Sequence, residues 1–194
     1  MVKSKKILDK GSAGGDKSQR SEQQQQRRAA RKLSEYGRQL AEKQKVKEAY
    51  GVREKQFRRF FRNAEKQKGA TGETLLSILE RRLDNVLYRL KLSVTRRQAR
   101  QIIVHGHVRV NGKHVYSPSY LVSVDDVITL APNALHKTAF IEQVVDKRLA
   151  IGIKVPEWLE LDKMQRTGRV LRMPVRADVQ MPIEEHLIVE GYSK

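Results

Sequence analysis

The stretch TRRQARQIIVHGHVRVNGKHV, residues 95–115, decides the fold. Thr95, with Gln98 three residues on, has the form of a capping box, and Val94 and Ala99 stand at the positions of a hydrophobic staple. A helix is therefore predicted from Arg96 to about His105, with Gly106 placed to close it in the left-handed conformation. At about 100° per residue, Arg96, Arg97 and Arg100 share one arc of that helix, while Ala99, Ile102 and Ile103 fall on the other. One face packs; the other presents guanidinium groups. VRVNGKHV then reads as two short alternating strands around Asn111-Gly112, a tight hairpin with Lys113 at the turn.

Upstream, Leu75, Leu76, Leu79, Leu83, Val86, Leu87 and Leu90 form one continuous apolar stripe on a helix that begins near Thr71–Glu73. Downstream, YLVSVDDVITL supplies a strand, kinked in by Pro118 and ending near Leu130. The resulting unit is two helices on a small antiparallel sheet. Residues 36–68 read as mostly helical and broken near Gly51, and Phe57, Phe60, Phe61 and Ala64 recur at i, i+3, i+4, i+7. That spacing makes the phenylalanines core residues rather than base-stacking platforms. The fold class is α+β: a mainly helical domain with a small two-helix and antiparallel-sheet module inserted.

The remaining segments say less. NALHKTAFIEQVVDKRLAIG is expected to be helical with Phe140, Val144 and Val145 inward. VPEWLELDK suggests a strand with Trp158 partly buried, and RTGRVLRMPVRADVQ a basic, turn-rich segment. PIEEHLIVEGYSK has room for a last short element with Ile183, Leu187 and Ile188 apolar. Residues 1–34 are rich in Gly, Ser, Gln and charge, with almost nothing to bury. Gly11, Lys17 and Ser18 there imitate phosphate-loop spacing, but Asp16 replaces the second glycine, and a carboxylate beside the amides would repel a phosphate.

Charge points to the partner. Of 194 residues, 40 are Lys or Arg and 22 Asp or Glu, for a formal net charge of +18. Residues 1–100 hold 28 of the basic and 11 of the acidic side chains, so a polyanion mostly meets the first half. Arg53, Lys55, Arg58, Arg59 and Arg62 decorate one helix with only Glu54 and Glu65 to balance them between Gly51 and Gly69. Like charges repel at helical spacing, so a bound polyanion is the economical explanation. Arginine forks match phosphate oxygens and suit RNA, whose A-form major groove is too narrow for a reading helix. The absence of cysteine excludes disulfides, thiolate zinc sites and cysteine nucleophiles. His105, His107 and His114 fall short of a closed zinc shell, so no metal or cofactor is expected. No apolar run approaches the ~20 residues a membrane helix needs, and the basic start MVKSKKILDK lacks the apolar core of a secretory signal. The chain is expected to be cytoplasmic, with no membrane or small-molecule partner.

From Ser34 onward the strings LSEYGRQLAEKQKVKEAYGVREKQFRRFF, GATGETLLSILERRLDNVLYRL, TRRQARQIIVHGHVRVNGKHV, SPSY and EEHLIVEGYSK resemble the bacterial family of the fourth protein of the small ribosomal subunit. Residues from about Arg82 to Leu130 resemble the RNA-binding module named after that family. The resemblance implies a basic N-terminal extension over 1–33, disordered when free; a helical domain over 34–81; the module over 82–131; and a C-terminal region, 132–194, packing back on the helical domain. It implies a primary binder of small-subunit ribosomal RNA at a multi-helix junction of the 5′ domain, acting early in assembly. Family members lie beside the fifth protein of the subunit, near where messenger enters. They influence decoding accuracy, and in some bacteria repress their own messenger.

By position, the resemblance marks Tyr36, Gln39, Lys43, Gln44, Lys45, Arg53, Lys55, Gln56, Arg58 and Arg59 as RNA-facing, and in the module Arg96, Arg97, Arg100, Gln101, His105 and Lys113. The sequence also departs from the family. It cannot form the cysteine zinc knuckle of many relatives, and its tail lacks their Gly/Pro/His-containing approach. Lys91 stands where a glycine usually ends the module's first helix, and Gly191 replaces a bulky apolar residue. Similar modules occur on pseudouridine synthases and a tyrosine tRNA synthetase, but those need a large catalytic domain. Here no nucleophile elbow or nucleotide fingerprint is present, and adjacent Asp125 and Asp126 read as a turn, Glu184 and Glu185 as surface or capping residues. An enzyme is not expected. The alternative is a free-standing RNA-binding protein or messenger regulator built on the same module.

Overall fold

The computed structural model describes residues 34–136, 141–152 and 154–193. The expectations for residues 1–33, the imitation phosphate loop included, lie outside them. The chain divides into two compact units, Met1–Gly37 and Arg38–Lys194. Residues 34–37 of the first make the opening turn of helix α1 (Glu35–Tyr50), where the Gly37 N–H donates to Ser34 Oγ at 3.2 Å.

In the second unit, α1 ends at Gly51, whose φ of +61° is open to glycine without strain. The Val52 and Gly51 amides close the helix on the Lys47 and Glu48 carbonyls. Helix α2 (Glu54–Glu65) follows, with Phe57, Phe60, Phe61 and Ala64 all buried as their spacing predicts. Helix α3 spans Thr71–Glu80 and α4 Leu83–Arg89. The apolar stripe expected to run unbroken through them is interrupted. Arg82 leaves helical geometry and bridges to Leu121 as an isolated β-pair, while Arg81 Nε donates to the Val122 carbonyl. The break sends the leucines to two cores. Leu75, Leu76 and Leu79 join Val46, Tyr50 and the phenylalanines; Leu83, Val86, Leu87 and Leu90 join the module.

Helix α5 covers Arg96–Val104. Thr95 Oγ1 accepts from the Gln98 amide, as a capping residue should, but Gln98 Oε1 returns the bond to the Val94 amide rather than to Thr95. Val94 stays 47 % exposed, so the expected staple does not close. Gly106, at φ +72°, ends the helix. Strands β1 (Val108–Val110) and β2 (Lys113–His114) pair across Asn111-Gly112, both with positive φ, the turn that matches strand twist. The expected strand after Pro118 is confined to β3 (Val127–Leu130), because Val124-Asp125 forms a turn that Asp126 stabilises through the Ser123 amide.

The C-terminal region divides between the two cores. β4 (Leu159–Asp162) and β5 (Thr167–Val170) extend the module into an antiparallel sheet of order β2-β1-β3-β5-β4. With them Ala134, Ile141, Val145, Leu149 and Trp158 enter the module's core. Val179, Ile183 and Ile188, the last on α6 (Glu185–Tyr192), pack on the helical domain. Between Pro132–Leu135 and Lys147–Ala150 lies a π-helical segment, Ile141–Asp146. Val145 is buried there; Phe140 and the Val144 side chain lie outside the described residues. Trp158, just before β4, is wholly buried rather than partly, because it packs into the module's core with Leu159 and Val170. Lys91 takes φ +62° where a glycine was expected, and its ammonium donates to the Ile151 carbonyl at 2.9 Å.

Two buried carboxylates join the cores. Glu80, at the end of α3, accepts from Tyr50 Oη at 2.6 Å, Asn85 Nδ2 at 2.7 Å and Arg89 Nη2 at 2.7 Å. Asp84 accepts from Arg82 Nη2 at 2.6 Å, Arg100 Nη2 at 2.8 Å and the Asn85 amide at 2.9 Å. Both are fully buried. Burial and the Glu80 charge push the Tyr50 hydroxyl well above its ordinary value, so it stays a donor. On the outer side of the helical domain, Glu54 ties α1 to α2 and α6. It meets Lys47 Nζ at 2.8 Å and Lys43 Nζ at 3.5 Å, and accepts from Tyr192 Oη at 2.8 Å. Partial burial alone would raise its carboxyl, but these donors and cations outweigh burial and hold it down at about 2.

Three outcomes are expected. Phe60→Ala should cost about 3–5 kcal/mol in denaturant unfolding, as deletion of a buried ring does. Glu80→Gln removes one partner of a buried pair and should cost on the order of 3–5 kcal/mol. Because the Glu54 carboxyl is lowered on folding, its contribution is present above its ordinary pKa of 4.5 and is lost as pH falls toward 2. Glu54→Gln should therefore flatten the loss of stability between those two pH values.

Candidate nucleic-acid interface

A cation reaches a phosphate at least cost when no carboxylate of its own chain holds it. By that criterion the predicted residues separate. Arg96, placed by its helical phase among outward cations, is turned inward: its guanidinium lies 4.6 Å from the Tyr88 ring centroid and 5.0 Å from that of Tyr50, and Nε donates to Asn85 Oδ1 at 2.8 Å. Arg100 bridges Asp84 and the Gly51 carbonyl, the latter at 3.0 Å from Nη1. Both fasten α5 to the end of α1. Arg97 alone of the three is exposed, the other two being half-buried. The expected arginine face is thus divided, because Asp84 and Asn85 of α4 and the Gly51 carbonyl of the helical domain stand within reach of it.

The α1 residues divide likewise. Tyr36 is 70 % exposed, whereas Gln39 is buried and its Nε2 donates to Glu190 Oε2. Lys43 is drawn to Glu54 and over the Tyr192 ring, at 5.4 Å from its centroid. Gln44 accepts from Lys47 Nζ, and Lys45 is bonded to Glu42 and the Pro182 carbonyl.

Helix α2 supplies the free charge. Its phenylalanines fix its rotation, so the residues out of phase with them must face away from the core. Lys55, Arg58, Arg59, Arg62 and Lys66, spaced by three or four, line a shallow depression of about 660 Å³ with Glu54 and Asn63. Among the described residues no ion pair engages Arg53, Lys55, Arg59, Arg62 or Lys66, and all are exposed. Gln56 is half-buried beside them, and Arg58 is drawn to the Tyr192 hydroxyl. Arg62, read from the sequence as part of the basic face, was not among the residues the resemblance marks, and Lys66 was in neither set, although its spacing from Arg62 already placed it on the same stripe.

In the module, Gln101, His105 and Lys113 are exposed. Arg97 lines a second hollow, of about 450 Å³, with Arg96, Arg100, Thr95 and the Gly51 turn. His114 is engaged with the Gly106 carbonyl and Arg109, and no group of three His, Asp or Glu side chains that could hold a metal ion occurs among the described residues. Asp125, at φ +67°, pairs with Arg169, and Glu185 with Arg176. No helix among the described residues is long and apolar enough to cross a membrane.

Known proteins are similar to this chain in sequence. Residues 81–128 match the family described as the S4 domain, and residues 2–80 the Ribosomal protein S4/S9 N-terminal domain. Among relatives, the chain is similar to the small ribosomal subunit protein uS4 of Caldicellulosiruptor saccharolyticus, 55 % identical over 164 residues, 84 % of this chain and 77 % of that protein. The uS4 protein of Acetivibrio thermocellus is 52 % identical over the same shares. That of Halothermothrix orenii is 50 % identical over 167 residues, 86 % of this chain and 79 % of that protein. With the two-core architecture, the inserted sheet and identity at this level across most of its length, the chain belongs to the uS4 family.

Proposed function

We propose that this chain is a structural protein of the small ribosomal subunit that binds small-subunit ribosomal RNA, working in the cytoplasm as part of the ribosome and making or breaking no bond. The observation that supports it is the stripe Lys55–Arg59–Arg62–Lys66, exposed and, among the described residues, free of ion pairs, along a helix whose opposite face is locked into the core. A rigid row of cations at that spacing meets the phosphate outline of a folded RNA. The interface comprises that stripe with Arg53 and Arg58, together with Arg97, Gln101, His105 and Lys113 of the module; Tyr36, in the other unit, is a separate RNA-facing candidate. Gln39, Lys43, Gln44, Lys45, Gln56, Arg96 and Arg100 act chiefly by holding the helices that present it.

The family pattern supports the finer placement: the multi-helix junction of the 5′ domain, a role early in assembly, the fifth protein as neighbour, and an influence on decoding accuracy where messenger enters.

Replacing Lys55, Arg59 and Arg62 together by Gln should weaken binding to junction RNA and lower the slope of log affinity against log salt by roughly one unit per lost contact. Arg100→Gln should leave that slope nearly unchanged. An unaltered slope in the triple variant would reject the stripe as the RNA face. If the tagged chain sedimented apart from small subunits in a high-salt gradient, a free-standing RNA-binding protein would be the better reading.

A further inference from the structure

The hairpin of the module holds an aromatic group that no cation-to-phosphate scheme uses. Tyr116 is 62 % exposed although it is a large ring on an otherwise ordered segment. It is not loose. A Cβ built on Gly106 would come within 2.7 Å of its Cε1, so the ring lies directly against the backbone that closes α5, and any side chain at 106 would displace it from there. Beside it stands His114, with ring centroids 6.1 Å apart and planes inclined by 19°.

His114 is held from both sides. Its Nδ1 is 3.0 Å from the Gly106 carbonyl, and its Nε2 is 3.1 Å from both Nε and Nη2 of Arg109. A guanidinium can only donate, so Nε2 must be the acceptor and Nδ1–H the donor to the carbonyl. One tautomer and one ring orientation follow. Arg109 is the register partner of His114 across the β1–β2 ladder, so the guanidinium and the imidazole share a face of the hairpin. The exposed ring, its parallel neighbour and the adjacent cation are thus all fixed before any ligand arrives.

We infer that Tyr116, backed by His114 and Arg109, is a stacking site for an unpaired base of single-stranded RNA. A nucleobase needs an accessible, immobilised π-face and a nearby positive charge for its phosphate, and it gains little from a duplex, whose bases are already stacked. This rests on the reading of the chain as an RNA-binding protein, but it assigns a ligand class to a part of the surface outside the α2 stripe.

The test uses the full chain and two probes: a short single-stranded RNA with one 2-aminopurine at its centre, and a perfect RNA duplex. Binding of the single strand should quench the 2-aminopurine fluorescence. Tyr116→Leu, which keeps the ring's cover over Gly106 without a π-face, should abolish most of the quenching and weaken single-strand binding by about tenfold, in line with the stacking loss per base. It should leave duplex binding and the melting temperature unchanged, and Tyr116→Phe should behave as the parent. Equal quenching by parent and Tyr116→Leu, or no quenching by a parent that binds the duplex, overturns the stacking site alone. Failure of the parent to bind either RNA overturns both this inference and the proposed function.

Discussion

Glu80 and Asp84 are the constraint on which the rest of the molecule depends. They are four residues apart, on either side of the break between α3 and α4, and neither is reached by solvent. A buried carboxylate is tolerable only when its oxygens are filled by donors. Here the donors come from every element that meets at the joint: Tyr50 from α1, Asn85 and Arg89 from α4, Arg100 from α5, and Arg82 from the break itself. The two acids set how the inserted module sits on the helical domain, because each can be satisfied in only one arrangement of those helices.

This requirement sorts the cations of a strongly basic chain. Arg89, Arg96 and Arg100 are held by acceptors or aromatic rings of their own chain. Lys43, Lys45 and Lys47 are similarly engaged through Glu54 and Glu42. The stripe on α2 and Arg97 have no such partners among the described residues, and a polyanion would relieve their mutual repulsion. One part of the positive charge builds the scaffold, and the other is what the scaffold presents. The aromatic step at Gly106 and Tyr116 adds a contact of another chemical kind, suited to bases rather than to phosphates.

Local rules reached those features that local rules control. The Phe57–Phe60–Phe61 face, the Thr95 cap, the Gly106 terminus and the Asn111-Gly112 turn each follow from a few neighbouring residues, and all stand in the structure. The division of the leucine stripe at Arg82 depends on Leu121, nearly forty positions away, and no periodicity signals it. β5 was hidden in a basic, turn-rich segment because its burial comes from strands on either side, with Gly168 allowing Leu90 to pack against it. For the candidate interface, composition pointed to a polyanion and the one-sided charge between Gly51 and Gly69 pointed to α2, but Lys66 was not read as part of its basic face. The inward turn of Arg96 and Arg100 was invisible, since helical phase places a side chain on a face but says nothing about an acceptor on another domain.

The sorting of arginines can be observed directly in the side-chain Nε–Hε spectrum of chain labelled with ¹⁵N-arginine, recorded with and without a fragment of small-subunit ribosomal RNA. The free chain should show Arg96 and Arg100 as hindered, slowly exchanging guanidiniums and Arg59, Arg62 and Arg97 as mobile ones. RNA should shift the mobile set and leave the hindered pair in place. Arg96 and Arg100 that are mobile in the free chain and shift most on adding RNA would contradict the account.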